Sequence, residues 1–499
     1  MSYAVASNLT PTDKNKNWLW PTIFLSICIS AAPVAIGIFF YFPFDDAFIS
    51  FRITENLVEN GNALYNSGTK LYTSTSLIYP FWNAIWYQLL GKSWIYDVAI
   101  INGILQSIAV SRALYPILRE ANSYKASFFV LLAVCPLCLN LTHLVYGNTG
   151  LETGLYQCFL AFTLCSSNTG KLGWISGFVR PEGFLVGLAG LIGSVIKRES
   201  TRKVIAEGLY GILIISIWLI LGYILFDAAI PQSIVAKSNY AIDRFAELKS
   251  GYLHNFFQGY GFFSFLIASA WFYFPHLQKT FIVPLIWLLI NCLFFSIGAS
   301  WWPWYVPPIF IPLIFLSGKS ALAWFNYFNS KKALPSFYIP ATIIFFIAFA
   351  TLELTKTLKE AKKMSDAVSL RIKSGKKIGN WLTNNIPKSK TIMLEQLGIL
   401  GYYSKDVKIL DYPGLSSKEM SDYVSSLPWE IPISFEETET DSAVIGHFQT
   451  DYLLLFPKEV KAFNRLQKVR KKYVKLDSLP YYPDSEWFKQ VVIFKKNPN

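Results

Sequence analysis

Two adjacent carboxylates are the residues of this chain best placed to do chemistry. Asp45 and Asp46 stand in YFPFDDAFISFR (41–52), directly after an apolar run at residues 18–42. Two like charges this close repel each other, so one of them takes up a proton readily unless a cation lies nearby. A carboxylate of this kind beside an apolar wall suits a general base. The alternative is a pair that caps a helix in a solvated loop.

Cations that could bind an anion follow the pair or interrupt other apolar runs. Arg180 stands in the sequence RPEG inside an apolar segment, where an arginine is costly unless it is paired. Arg52 and Lys237 are two further candidates, and each could instead be a snorkelling or capping side chain. Glu152 and Glu182 are the carboxylates that could pair with these cations.

Two other features suggest a bound ligand. Glu152 could join Asp45 and Asp46 as ligands of a divalent metal such as Mg²⁺, Mn²⁺ or Ca²⁺. The sequence ASWWPWYVPP contains Trp304 and Tyr305. These aromatic residues suit either a belt at the membrane surface or a platform on which a sugar ring stacks.

The composition around these residues is that of a membrane protein. The chain has 499 residues, of which 53% are hydrophobic and only 15% are charged, whereas soluble proteins carry roughly 25% charged residues. Residues 18–42 are too long for a cleaved signal peptide and predict a retained anchor. The net charge of +13 is explained by basic cytoplasmic loops, so the composition argues against nucleic-acid binding. All six cysteines lie in apolar segments and predict packing.

The apolar segments divide the chain into two domains. Residues 1–355 predict a polytopic α-helical domain with about 10–11 transmembrane helices, and residues 45–92 form its first extracytoplasmic loop. Residues 356–499 have no long apolar run and predict a soluble extracytoplasmic α/β domain. It begins with a basic helix at 356–377, and 391–412 reads as strand, turn, strand. The apolar segments are 18–42, 95–118, 126–146, 151–167, 172–196, 205–226, 261–275, 280–298, 302–318 and 334–355.

The distribution of basic residues predicts the orientation. Residues 77–91 are short for a span and predict an interfacial helix, which places the basic loops 111–125 and 197–203 in the cytoplasm, as the positive-inside rule favours. This topology requires the segment 172–196 to double back at its Pro-Gly break. The residues that could do chemistry then share the extracytoplasmic side with the C-terminal domain.

Several motifs resemble one family when they are taken together. DDAFISFR, ENLVENGNALYNSG and TSTSLIY resemble the first periplasmic loop of GT-C glycosyltransferases, and most of all the mycobacterial terminal arabinofuranosyltransferases. The motifs GLET (150–153), RPEG (180–183) and GILGYYSKDVKILDYPGL (398–415) match later motifs of that family in the same order. Two departures, Leu77 and Ala63 in place of a family Pro and Gly, affect the shape of the loop on the acceptor side.

The resemblance implies an inverting, membrane-embedded glycosyltransferase with a polyprenyl-phosphate sugar as donor. Asp45 would be the general base and Asp46 would orient a substrate group or a cation. Arg52, Arg180 and Lys237 would bind the donor phosphate. The substrate-binding residues implied are Asn56, Thr75, Glu152, Glu182, Trp304, Tyr305 and Tyr402.

The sequence leaves other readings open. A multi-pass transporter or flippase of lipid-linked sugars is the main alternative, although the chain has no internal repeat of the kind that transporters show. A non-catalytic assembly or polymer-export protein is a third. The acceptor is a hydroxyl on a glycan, a lipid or a protein, and the sugar is undetermined. Modest use of cysteine fits the inner (plasma) membrane of a bacterium, with the active site facing outside.

Overall fold

The computed structural model describes residues 18–40, 43–165, 169–241, 260–297, 303–331, 338–404, 407–412, 414–427, 438–482, 485 and 488–498. The described chain is mostly helical and ends in a small sheet domain, which confirms the predicted fold class. The helices before the C-terminal domain are α1 (Leu19–Phe39), α2 (Asp45–Asn60), α3 (Tyr79–Leu90), α4 (Trp94–Glu120), α5 (Tyr124–Cys138), α6 (Leu141–Leu144), α7 (Thr153–Leu164), α8 (Thr169–Ile175), α9 (Phe184–Ile196), α10 (Thr201–Phe226), α11 (Gln232–Ala241), α12 (Tyr260–Tyr273), α13 (Pro275–Ile297), α14 (Phe310–Lys331) and α15 (Tyr338–Asn385).

Several of these helices are long and apolar enough to cross a membrane. Among the described residues there are six, or seven if α5 and the segment Leu141–Asn148, which meet at 70°, form one bent span. Three shorter apolar helices, α7, α12 and Pro181–Ile196, accompany them. Their outward surfaces carry large exposed apolar side chains, which suits contact with lipid.

The chain doubles back between α8 and α9, as the topology required. Arg180 has extended backbone angles (φ −147°, ψ 135°), because a residue before proline is disfavoured in the helical region. A Cβ atom on Gly173 would come within 2.8 Å of Gly187 N. The two helices therefore pack backbone to backbone, and the turn places Arg180 at one end of the pair.

The C-terminal domain is a mixed sheet flanked by helices. The strands are β1 (Thr391–Leu394), β2 (Lys408–Asp411), β3 (Tyr452–Leu455), β4 (Tyr473–Pro480) and β5 (Gln490–Lys496), in the order β2-β1-β3-β5-β4. The first three are parallel, and β5 is antiparallel to β3 and β4. The helices are α16 (Ile399–Tyr403), α17 (Lys418–Ser426), α18 (Thr438–Phe448), α19 (Pro457–Arg465) and α20 (Gln467–Arg470).

Two sequence predictions concern this region. The position predicted for the domain boundary, 355–356, lies inside α15, which runs unbroken for 48 residues from the apolar part of the chain into the polar part. The predicted turn between β1 and β2 is largely the helix α16, so the two strands are parallel. Parallel strands need such a crossover connection, whereas a tight turn would have made them antiparallel.

Candidate functional site

The candidate site is a cavity where the first loop, the turn at Arg180 and the C-terminal domain meet. Its volume is about 520 Å³ including the open mouth. Helix α2 forms one wall, and the short helical turn Pro303–Tyr305 contributes another. The lining residues are Asp46, Ile49, Ser50, Thr73, Ser74, Thr75, Leu151, Glu152, Arg180, Ser233, Trp304, Tyr305 and Leu415.

Helix α2 carries the two adjacent carboxylates in its first turn and lines one side of this cavity. It begins at Asp45 after Pro43 and Phe44 and ends at Gly61, which adopts the left-handed conformation (φ +69°) typical of a helix C-terminus. Asp45 and Asp46 both lie in the first turn, where negative charge interacts favourably with the helix dipole. Both residues therefore lie at the amino end of a helix, where they are partly buried.

The two carboxylates face different surroundings. Asp46 lines the cavity. Asp45 does not: its Oδ2 accepts a hydrogen bond from Gly398 N (3.0 Å) and its Oδ1 accepts one from Ile399 N (2.9 Å). Its Oδ1 also lies 3.5 Å from Nη2 of Arg371. Asp45 therefore caps helix α16 of the C-terminal domain, which is not the placement expected of the base that the sequence favoured.

Arg180 is a buried cation on the cavity wall. It is only 1% exposed, and its Nε lies 2.5 Å from Glu182 Oε1 and 3.7 Å from Glu152 Oε1. Its guanidinium also stacks over the ring of Tyr305 at 5.0 Å. Nη1 has no hydrogen-bond partner among the described residues. A buried donor without a partner costs free energy, so this atom is available to an anion in the cavity.

Three predicted site residues lie away from the cavity. Arg52 donates to the carbonyl oxygens of Tyr65 (2.9 Å), Gly401 (2.5 Å) and Val407 (3.2 Å). Because these bonds occupy its guanidinium, the structure does not bring it to a donor phosphate. Asn56 donates to Leu64 O (2.7 Å) and holds the loop after α2.

Tyr402 is the third of these residues. Its hydroxyl donates a hydrogen bond to Glu55, and its ring packs edge-on against Phe48 at 5.4 Å. Both contacts are with α2, and neither lies on the cavity. Tyr402 therefore joins Asp45 and Arg52 in fastening α2 to the C-terminal domain.

The remaining predicted residues divide as follows. Thr75 lines the cavity and its Oγ1 lies 2.9 Å from Ser233 Oγ. Trp304 and Tyr305 also line it, and Trp304 packs against Phe44 at 5.0 Å. Glu182 reaches the site through Arg180. Lys237 lies in α11, and its side chain is outside the described residues.

The predicted metal site is not assembled. No group of three or more His, Cys, Asp and Glu side chains that could hold a metal ion occurs in the described part of the chain. The physical reason is the orientation of Asp45, whose two oxygens are directed to backbone N–H groups of α16. Asp46 and Glu152 remain together on the cavity wall.

Sequence reasoning missed several lining residues. Thr73 and Ser74 lie in the polar run TSTS, where the adjacent Thr75 was singled out, so composition could have found them. Leu415 could not be found in this way, because it reaches the cavity from the C-terminal domain. The buried carboxylate of Asp411 accepts hydrogen bonds from Leu415 N and Ser416 N, both at 2.6 Å, and so fixes the loop after β2.

The fold of this chain is similar to that of solved structures. The structure is similar to ArnT from Cupriavidus metallidurans bound to undecaprenyl phosphate, with a TM-score of 0.52, 12% sequence identity and coverage of 97% of this chain and 100% of that chain. The fold is ArnT-like. Apo ArnT gives a TM-score of 0.53 at 12% identity, with coverage of 97% of this chain and 99% of that chain.

Sequence comparisons add a domain match. Residues 362–493 match a family described as a domain of unknown function, DUF8728. No curated protein matches the chain. The match covers the second half of α15, β1 to β4 and the first half of β5, so the similarity is confined to the C-terminal domain and the helix that leads into it.

Proposed function

We propose that the protein is an inverting membrane glycosyltransferase that moves a sugar from a polyprenyl-phosphate donor to an acceptor hydroxyl. The observation that carries the proposal is the cavity between a carboxylate, Asp46, and a buried cation, Arg180, whose Nη1 has no hydrogen-bond partner among the described residues. The ArnT-like fold supports it, because ArnT binds undecaprenyl phosphate in a solved structure.

The reaction follows from the two opposite charges. Asp46 takes the proton of the acceptor hydroxyl, and the acceptor oxygen bonds to the anomeric carbon of the donor sugar. The bond from that carbon to the phosphate oxygen breaks, and the polyprenyl phosphate leaves with the electron pair. Arg180 stabilises the charge that develops on the leaving phosphate. A single displacement of this kind inverts the configuration at the anomeric carbon.

The structure supports Asp46 rather than Asp45 as the base. Both oxygens of Asp45 accept bonds from backbone N–H groups of α16, so this carboxylate is engaged by the C-terminal domain and does not line the cavity. Asp46 lines the cavity together with Trp304 and Tyr305. These rings can contact a sugar, while Thr75 and Ser233 can bond to its hydroxyls.

Product formation tests the proposal. Membrane vesicles that contain the full chain are given radiolabelled undecaprenyl-phosphate pentoses and hexoses, and the label is followed into glycosides. We expect a labelled glycoside and free undecaprenyl phosphate from at least one donor, and neither from vesicles that contain the Asp46→Asn variant. Movement of labelled lipid across the vesicle membrane with no glycoside would instead support the transporter.

The orientation is a separate proposal. We place residues 111–125 and 197–203 in the cytoplasm, and the cavity with the C-terminal domain on the outside of a bacterial inner membrane. The basic loops support this through the positive-inside rule. A Glu120→Cys variant should react with an impermeant maleimide only after the cells are opened, and Lys362→Cys should react in intact cells. Labelling of position 120 from outside would overturn the orientation.

A further inference from the structure

The end of the C-terminal domain that lies far from α2 is strongly basic. Between residues 460 and 476 there are seven Lys or Arg residues and no Asp or Glu. They lie on α19, on α20, in the turn after α20 and at the start of β4. Six of them are exposed: Lys461, Arg465, Lys468, Lys471, Lys472 and Lys475. We call this surface the basic pole.

Bonds at the start of β3 locate the basic pole in the fold. Lys472 Nζ donates to Gln449 Oε1 (2.9 Å) and Lys496 Nζ donates to Gln449 O (3.2 Å). Lys390, just before β1, pairs with Asp451 at 3.0 Å. These lysines therefore surround the amino ends of the parallel strands.

The carboxyl ends of those strands point the other way, towards the membrane domain. Gly398, four residues after β1, donates its N–H to Asp45 at the start of α2. The amino ends of these strands, where the pole lies, are therefore directed away from α2, which follows directly on the membrane span α1.

Helix α15 gives an independent measure of the same separation. It leaves its apolar stretch near Lys356 and ends at Asn385, just before β1 and the pole. At 1.5 Å per residue these 29 positions extend about 44 Å. The strand direction and the length of α15, which exceeds the about 8–10 Å over which charge is screened at physiological salt, indicate that the pole faces the space beyond the membrane.

We propose that the basic pole binds an acidic polysaccharide of the cell envelope, a chain with repeated carboxylate groups. Lysines this dense repel one another, and a polyanion removes that repulsion by replacing their small counterions. Arg470 supports the surface, because its guanidinium packs over Phe463 and Phe494 at 5.5 and 5.0 Å and its Nη1 donates to Tyr473 O (2.7 Å). The inference extends the proposed function by naming a class of partner, the acidic polysaccharides. It rests on the proposed orientation, which places the C-terminal domain outside the cell.

The test uses the full chain in nanodiscs of neutral lipid, with polygalacturonate as the probe and dextran as the uncharged control. The variant replaces Lys468, Lys471 and Lys475 with Gln. The matched control replaces three exposed lysines of α15, Lys359, Lys362 and Lys363, with Gln and so removes the same total charge. We expect the pole variant to bind polygalacturonate about tenfold more weakly and the control to stay within about twofold of the parent. Dextran should not bind.

Several outcomes would overturn the inference. If both triple variants bound polygalacturonate equally weakly, the binding would depend on net charge alone and not on the basic pole. Absence of polygalacturonate binding at 50 mM salt would refute it. The inference would also be refuted if the protein bound vesicles that contain phosphatidylglycerol but did not bind polygalacturonate. Binding of undecaprenyl phosphate is measured on the same samples. It should be unchanged in both variants, so a failure at the pole is distinguished from a failure of the proposed donor site.

Discussion

The two faces of helix α2 show how one element serves two parts of the molecule. The face with Asp46, Ile49 and Ser50 lines the cavity. The opposite contacts, from Asp45, Arg52 and Glu55, are made to residues 398–407 of the C-terminal domain. The first set lines a cavity, whereas the second set bonds directly to the C-terminal domain. Charge on α2 therefore lines the cavity on one side and attaches the helix to the C-terminal domain on the other.

The largest expected effect comes from Asp46→Asn. The amide keeps the shape of the side chain but cannot take the acceptor proton, so turnover should fall about 10²–10⁴-fold, or roughly 3–5 kcal/mol of barrier. Binding of undecaprenyl phosphate, measured by native mass spectrometry, should persist. Near-normal turnover in this variant would return the role of base to Asp45.

Arg180→Gln should act on the donor rather than on the acceptor. Loss of a charge-assisted contact with phosphate should weaken binding of undecaprenyl phosphate by roughly 1.5–3 kcal/mol. The substitution also leaves Glu152 and Glu182 without their cation, which costs stability. The double variant Arg180→Gln/Glu182→Gln controls for this. If it restored binding along with thermal stability, Arg180 would be structural.

Asp45→Asn should have a smaller effect on turnover and a clear effect on stability. The amide oxygen can keep one of the two N–H bonds from α16 but loses the charge near Arg371, a cost of about 1–2 kcal/mol. A lowered melting temperature with turnover reduced less than about tenfold is the expected result. Loss of turnover without loss of stability would contradict the division between the two faces.

Tyr402→Phe is the mildest test of the attachment face. It removes the hydroxyl that bonds to Glu55 and leaves the ring packed on Phe48, so we expect destabilisation of about 1 kcal/mol. The melting temperature should fall while the affinity for undecaprenyl phosphate stays unchanged. Tyr403→Phe, a change of the same size next to it, provides the matched control.

The sequence was sufficient for features that depend on local pattern. Long apolar runs predicted the membrane helices, and the isolated position of Arg180 in such a run predicted a paired, buried cation, which the structure has. Helical period also shows that Asp45 and Asp46 cannot face the same way.

The choice between the two carboxylates could not be predicted in this way. It depends on the bond from Gly398 to Asp45, between residues 353 positions apart. The partners of Arg52 could not be predicted either. An arginine near a membrane surface can bind a phosphate, and it can equally donate to three carbonyl groups, as Arg52 does. Leu415 reaches the cavity only because a buried Asp411 shapes its loop. Pairing across such distances depends on the assembled fold.

The hydrogen bond between Arg52 and Gly401 has a consequence for the synthesis of the protein. The two residues are 349 positions apart, and ribosomes add about 5–20 residues per second. Helix α2 is thus made roughly 17–70 s before the carbonyl that anchors it. During that interval the membrane domain can insert, but the wall that carries Asp46 has no support from the C-terminal domain. If the proposed function is correct, we expect a growing chain to remain inactive until its C-terminal domain has been translated and folded.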